Sequence, residues 1–432
     1  MRSAPVQHRG VALILVLTTL AILTAVGVDF SYNSRVSLKL AENLRDEIRA
    51  EYLAKSAVNL SRLLLHFQKQ VDTLGGQVGN LVAGTPATRA PATGTNPAPG
   101  SPAKAPLNNL GIRLWQVLPI DSNAFGALLS GRIEGLDAAK LEVASPAPVS
   151  EKRAATHAFG GFDGSFHARI VDENSRINVQ SLDNVGTAPM AVFTQLRAMM
   201  ADPKYDFIFD EADANRDRVR REDVILAMKD WIDIDETGTV LDPTNLQRPF
   251  VNGFSDENSA YSRYEPRYKA KNGRFDSLEE LFMVRGVNDR FMAAFGDRLT
   301  IWPDITSKLN INTDDPQQMM TNILIAASNP NDPALRDPRL LQTILREIQL
   351  RKMFSFFGMS AQDFVSILQA NGIRLRPEID PRINGNAGAF FGSTSDTFRI
   401  VATGRVGRIE KKLTAVVRYD DAMGKLLYWK ED

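Results

Sequence analysis

The stretch that decides the architecture is His8-Arg9-Gly10 followed by Val11 to Val28 (VALILVLTTLAILTAVGV), eighteen residues without a charge, ending at Asp29. Eighteen uncharged, mostly apolar residues are near the minimum that crosses a hydrocarbon core, and the uncharged polar residues that follow Asp29, up to Asn33, leave room for tilt. Arg2, His8 and Arg9 precede the run with no acid among them, so the positive-inside bias puts the N-terminus in the cytoplasm and the bulk of the chain across the membrane. A secretory signal would carry its small-residue cleavage site after the apolar run, whereas Ala25-Val26-Gly27-Val28 leads into further helix-like sequence. The small residue that stands out is Gly10, ahead of the run.

Working outward, helical periodicity continues through Leu40, Leu44, Ile48, Leu53, Ala57, Leu60 and Leu64, with Glu42, Arg45, Glu47, Arg49 and Lys55 on the other faces. The spacing predicts one helix from about Val11 to about Val71, on the order of 90 Å long. Its span 11–33 is read as transmembrane and 34–72 as its continuation beyond the membrane. Residues 83–106 (AGTPATRAPATGTNPAPGSPAKAP) are dense in Pro, Ala, Gly and Thr and read as a disordered insertion. Alternation at period two predicts strands at Ile112 to Leu118 and Phe166 to Val171, and again at Thr397 to Gly404, Lys412 to Tyr419 and Leu426 to Trp429. Between the two groups lies a block read as helical, 188–375. The expected fold is α+β: a long N-terminal helix on a small antiparallel sheet, 107–187 supplying its first part and 376–432 its last strands, with a helical domain inserted between them.

Composition permits this without selecting it. The chain has 432 residues, enough for two or three domains, with 51 basic and 51 acidic side chains, so no net field recruits nucleic acid. It has no cysteine, which removes disulfides and thiolate metal sites together. Its four histidines, His8, His66, His157 and His167, show no metal-ligand spacing, and neither a phosphate loop nor a nucleophile elbow occurs, so catalysis is the poorest functional class.

The leader, with Gly10 before an unbroken apolar anchor, resembles the class III signal of type IV pilin-like proteins, whose prepilin peptidase cuts after such a glycine and methylates the new N-terminus, here Val11. Most of that superfamily has Glu at the fifth mature position. Here it is Leu15, and among type II secretion pseudopilins an apolar residue there marks the minor subunit of the K type. Further along, Val171-Asp-Glu-Asn-Ser-Arg-Ile-Asn-Val-Gln-Ser-Leu, Asp230-Trp-Ile-Asp-Ile-Asp, YSRYEPRYKAK from Tyr261, FDSLEELFMVRG from Phe275 and Leu309-Asn-Ile-Asn-Thr are similar in wording and order to that family. The resemblance implies a leader, 1–10, that is removed. It also implies an inner-membrane anchor with the bulk periplasmic, and a structural role at the pseudopilus tip with other minor pseudopilins as partners. Leu15 supports the tip position, because it cannot make the pair that a fifth-position carboxylate makes with a neighbour's N-terminal ammonium.

Two acidic clusters are candidate sites for a hard cation. Asp213, Asn215 and Asp217 place oxygens at first, third and fifth positions, with the Val219 carbonyl at the seventh, as in calcium loops. Arg218 stands where such loops want Gly, and a solvated loop fits these residues equally. The second cluster is Asp233, Asp235 and Glu257. The resemblance implies calcium in this part of the chain, while a helix end with solvated acids is the plain alternative. The segment from Asp235 to Tyr261 lacks a clear glycine-rich turn. Ser277 and Glu280 are spaced as a capping box closed by Gly286, and Ser360 caps a second helix stopped by Gly372. Such helix-hairpin-helix-like units bind phosphate elsewhere, so a membrane-anchored binding protein, with nucleic acid as one ligand, is the alternative function. Arg285-Gly-Val-Asn-Asp offers one cation beside one acid in a neutral chain, so no nucleic acid is expected.

Overall fold

A computed structural model describes residues 9–83, 115, 118–122, 164–185, 188–211, 218–245, 248–305, 308–313, 315–329, 332–354, 359–392, 395–419 and 424–432. Helix α1, Arg9–Ala83, runs 75 residues, about 112 Å at 1.5 Å per residue. It extends past the expected end near residue 71, through the adjacent Gly75 and Gly76, each of which weakens a helix by about 1 kcal/mol without necessarily stopping it. Most of the 83–106 insertion lies outside the described residues.

The two halves of α1 live in different surroundings. Leu13 to Tyr32 present their apolar side chains with none of the described residues packed on them, and this part is long and apolar enough to cross a membrane. From Ala50 the helix is one wall of a core: Ala50, Leu53, Ala54, Ala57, Val58 and Leu65 recur at the three- and four-residue spacing of a buried stripe and are at most 2% exposed. The opposite wall is a five-stranded antiparallel sheet in the order β1 (Ile120–Asp121), β2 (Ser165–Asp172), β9 (Thr397–Val406), β10 (Ile409–Arg418), β11 (Lys425–Glu431). Alternate residues face the helix: Phe166, Ala168 and Ile170 from β2, Phe398, Ile400 and Ala402 from β9, Leu413, Ala415 and Val417 from β10. Gly404 on β9 makes the contact intimate, since a Cβ there would stand 2.0 Å from the Ala50 carbonyl oxygen. Polar ties flank it: Lys411 to Glu47 at 2.7 Å, Lys55 to Glu431 at 3.2 Å, and the Tyr419 hydroxyl donating to the Arg62 carbonyl at 2.9 Å.

Of the run expected as a strand, Ile112 to Leu118, only Trp115 and Leu118 are among the described residues, and neither is in a strand. Trp115 is helical, and the strand this region supplies is Ile120–Asp121.

The block read as one helical domain, 188–375, is two cores with wider limits. The first gathers Val179 to Ile301, the second Ile311 to Phe391. Each is closed at its neck by a two-residue parallel pair of entry and exit strands: β3 (Ile177–Asn178) with β6 (Leu299–Thr300), and β7 (Leu309–Asn310) with β8 (Phe391–Gly392). The first core also carries an antiparallel hairpin, β4 (Thr237–Leu241) and β5 (Phe250–Asp256), in the segment that lacks a clear glycine-rich turn. The residues 376–392, expected with the C-terminal strands, belong instead to the second core through Ile379, Ala387 and Phe391.

The phrase Val171 to Leu182 sits where the three cores meet. Glu173, fully buried, is held by Arg399 Nε at 2.8 Å and Arg176 Nε at 3.7 Å. Asp172 Oδ2 accepts from Asn310 Nδ2 at 3.1 Å. Asn174 Oδ1 accepts from the Thr397 amide at 2.9 Å, and Asn178 Nδ2 donates to the Pro303 carbonyl at 2.8 Å. Polar groups of this phrase thus find donors on β9 and at the second neck and an acceptor beside the first, which fixes where the two necks attach.

Candidate metal centre

Three elements converge on one small volume of the first core. Helix α4 is Arg221–Ile232; it follows α2 (Ala188–Met200) and the short α3 (Asp206–Asp210). Its buried face, Val224, Ile225, Met228, Trp231 and Ile232, anchors it in the core, and this rotation brings Asp230 and the C-cap residue Asp233 to one side. The chain turns through Ile234 to Glu236, runs out along β4, returns along β5 and delivers Glu257, immediately after β5, to the same place. One carboxylate oxygen from each of Asp230, Asp233 and Glu257 lies within 4.8 Å of the others.

Few donors answer these acids. The Thr239 amide donates to Asp230 Oδ1 at 2.8 Å, and Lys229 Nζ donates to Asp233 Oδ2 at 2.7 Å and to Asp183 Oδ1 at 3.0 Å. Asp233 Oδ1, both carboxylate oxygens of Glu257 and Asn272 Oδ1 are buried with no hydrogen-bond partner among the described residues. Asp233 and Glu257 are 6% and 5% exposed, so water does not readily replace the missing donors. The Asn272 amide group lies against Glu257, in a left-handed backbone conformation with φ 52°, its Nδ2 spent on the Asp235 carbonyl. Four acceptors without donors in one place form a cradle for a cation.

The electrostatics say the same. Asp230 and Asp233 stand at the C-terminal end of α4, the negative end of its dipole, where a carboxylate is disfavoured and a cation is welcome. Burial pushes Glu257 up to about 7 and Asp230 up to about 6, each raised further by its neighbouring acids; Asp233 is also raised by burial, against the pull of Lys229. Every available donor atom is oxygen, which suits calcium or magnesium and not a metal that prefers thiolate or imidazole. The residues therefore fit the ion that the sequence resemblance implied.

The sequence expectation is corrected at one ligand. Asp233 and Glu257 meet as expected, but Asp235 does not join them: it is exposed, and its Oδ1 accepts from the Thr237 amide at 2.9 Å in a local turn. Asp230 takes its place. It opens the same D-W-I-D-I-D phrase, and its three-residue spacing from Asp233 puts both on one helical side, a signal that was present. Asp213, Asn215 and Asp217 lie outside the described residues. Gly10 and Val11 are helical in backbone, and Leu15 is 59% exposed.

The helix-hairpin-helix-like unit is also corrected. Residues Leu278–Met283 form a 3-10 helix, and Ser277 makes no side-chain cap. Glu280 is drawn elsewhere: its Oε2 accepts from the Asp276 amide at 2.8 Å and its Oε1 from Trp231 Nε1 at 3.2 Å, so the capping box does not form. Gly286 does turn left-handed, φ 84°, before the short helix α5 (Asp289–Phe295), capped by Asn288. The second cap is as expected, Ser360 and Asp363 forming a capping box on the helix Ala361–Ala370, with Gly372 at φ 80° after it.

Among solved structures, the chain is similar to a chain of the GspK-GspI-GspJ complex from the enterotoxigenic Escherichia coli type 2 secretion system, with 15% sequence identity and a TM-score of 0.39, covering 62% of this chain and 80% of that one. No family model and no curated protein matches the sequence.

Proposed function

We propose that this protein is a minor pseudopilin of the K type, a structural subunit at the tip of a type II secretion pseudopilus that supports export of folded proteins. The observation that carries this reading is the division of α1: one unbroken helix whose apolar first half has no partner among the described residues and whose second half is buried under an antiparallel sheet. A subunit built this way waits in a membrane by its first half and assembles by packing that half among others. The Gly10 leader and the ordered phrases from Val171 to Thr313 add the K-type resemblance. Its compartment is the inner membrane, with the sheet and both inserted cores periplasmic, and its partners are other minor pseudopilins and the prepilin peptidase. Nothing observed favours the nucleic-acid alternative in a chain of zero net charge.

Calcium belongs to the reading as the occupant of the Asp230, Asp233 and Glu257 cradle. It would neutralise carboxylates that burial otherwise penalises and tie the end of α4 to the base of the β4–β5 hairpin.

Mass analysis of the N-terminus of the membrane-extracted protein tests the assignment. The expected product begins at a methylated Val11, and Gly10→Leu accumulates precursor. A native chain that retains Met1 to Gly10, or begins near Asp29, refutes the pseudopilin reading.

A further inference from the structure

The metal cradle contains its own cation. Lys229 is 9% exposed, lies on the last turn of α4 between the core and the acids, and bridges Asp233 Oδ2 at 2.7 Å to Asp183 Oδ1 at 3.0 Å. A buried lysine is expensive, and this one is spent on the very carboxylate whose other oxygen, Oδ1, has no donor. The Lys229 ammonium is a fixed positive charge set between the cradle acid Asp233 and Asp183.

We propose that Lys229 is the residue that sets the charge selectivity of this site, its fixed positive charge beside the acids weighing more heavily against a trivalent ion than against a divalent ion of the same size. The inference rests on the metal reading of the three acids and goes beyond it by assigning a role to a residue that is not a ligand. The physical ground is Coulomb's law in a poorly hydrated place. A fixed positive charge about 5 Å from an ion, at an effective dielectric of about 20, lowers the binding constant by roughly a hundredfold for each unit of charge on the ion, before screening. The penalty on a trivalent ion exceeds that on a divalent one by the same factor. Lys229 costs the site affinity for calcium and returns selectivity, and through Asp183, which ends the 3-10 turn Val179–Asp183, it fastens the site to the segment that leaves the three-core junction.

The test uses the full chain in detergent, with terbium as the trivalent probe, read by emission sensitised through the adjacent Trp231, and calcium as its competitor. In wild type both ions bind. Lys229→Met raises the ratio of terbium to calcium affinity by tenfold or more, while Lys229→Arg, which keeps the charge, holds the ratio within about twofold. Asp183→Asn, on a side chain 45% exposed and therefore tolerant of change, lowers the ratio by a few-fold and decides the matter if Lys229→Met does not fold. A role confined to packing predicts instead that every variant weakens both ions equally; that result, or an unchanged ratio in Lys229→Met or Asp183→Asn, overturns the assignment of Lys229 with the metal site intact. Wild type that binds neither ion overturns both readings.

Discussion

Two glutamates, one at the junction of the three cores and one at the base of the β4–β5 hairpin, are buried to the same degree and treated in opposite ways. Glu173 is 0% exposed, with its Oε2 accepting from Arg399 Nη2 at 3.2 Å and its Oε1, which has no hydrogen bond, still within ion-pair distance of Arg399 and Arg176; Glu257 is 5% exposed and neither of its oxygens has a donor among the described residues. Removing a carboxylate from water costs the same in either place, so the difference lies in what the fold supplies in return. The junction supplies guanidinium groups and completes a structural joint. The hairpin supplies more carboxylates, which only an ion from solution completes. Burial alone does not mark a functional acid; burial with the partners withheld does.

The contrast is most sharply broken by exchanging each residue. Glu173→Ala leaves two guanidinium groups facing each other in a largely buried joint and is expected to cost about 3–5 kcal/mol. Thermal melting of the detergent-solubilised chain reads the loss, and excess calcium does not restore it. A loss that calcium abolishes would mean the junction and the hairpin are one site.

The second expectation concerns pH. Burial holds Glu257 at about 7 and Asp230 at about 6, above the values of the unfolded chain, so the metal-free folded protein retains protons that the unfolded chain has released. Its extra stability is complete below about pH 4 and is lost as pH rises through 6 and 7, by roughly 3 kcal/mol for each of the two groups at most. Melting in chelator should therefore fall across this window. Excess calcium, which binds the deprotonated cradle, should raise the melting temperature increasingly toward pH 7. A chelated protein that grows more stable between pH 5 and 7 contradicts the desolvated state of these acids.

Third, Glu257→Gln removes a charge that nothing in the protein answers. At pH 7.5 in chelator it should stabilise the fold by about 1–3 kcal/mol, the reverse of Glu173→Ala, while erasing the calcium response. If it destabilises the chelated protein as Glu173→Ala does, the two acids are alike and the contrast fails.

The smallest effect is expected at Asp235. Asp235→Asn keeps the turn to the Thr237 amide, so the calcium-induced change in stability should stay within about 0.5 kcal/mol of wild type. A full loss of response would return Asp235 to the ligand set.

What was legible in the sequence was what is local. The stripe from Leu53 to Leu64 and the alternation in β2, β9 and β10 come from each element's own periodicity, and the structure bears out the α+β arrangement of a long helix on a small antiparallel sheet. The division into two inserted cores has no such signal. Ile177 meets Leu299, and Leu309 meets Phe391, through ladders of two residues each, too short to impose a pattern. The exchange of Asp235 for Asp230 has a related cause. Spacing along the chain puts Asp235 two residues from Asp233, but the helix ends at Ile232, and beyond it the turn points Asp235 outward, while Asp230 shares the last helical turn with its partner.

The seam between α1 and the sheet has a mechanical meaning. Gly404 lets β9 press against the backbone at Ala50, and ties at Glu47, Lys55 and Arg62 spread the attachment over fifteen residue steps, about 22 Å of helix. A force applied along the helix axis loads these contacts in shear and all together, whereas a force that peels the helix away loads them in succession. The seam is strong against a thrust along the helix axis, and comparatively weak in the direction that would peel the helix away from the sheet.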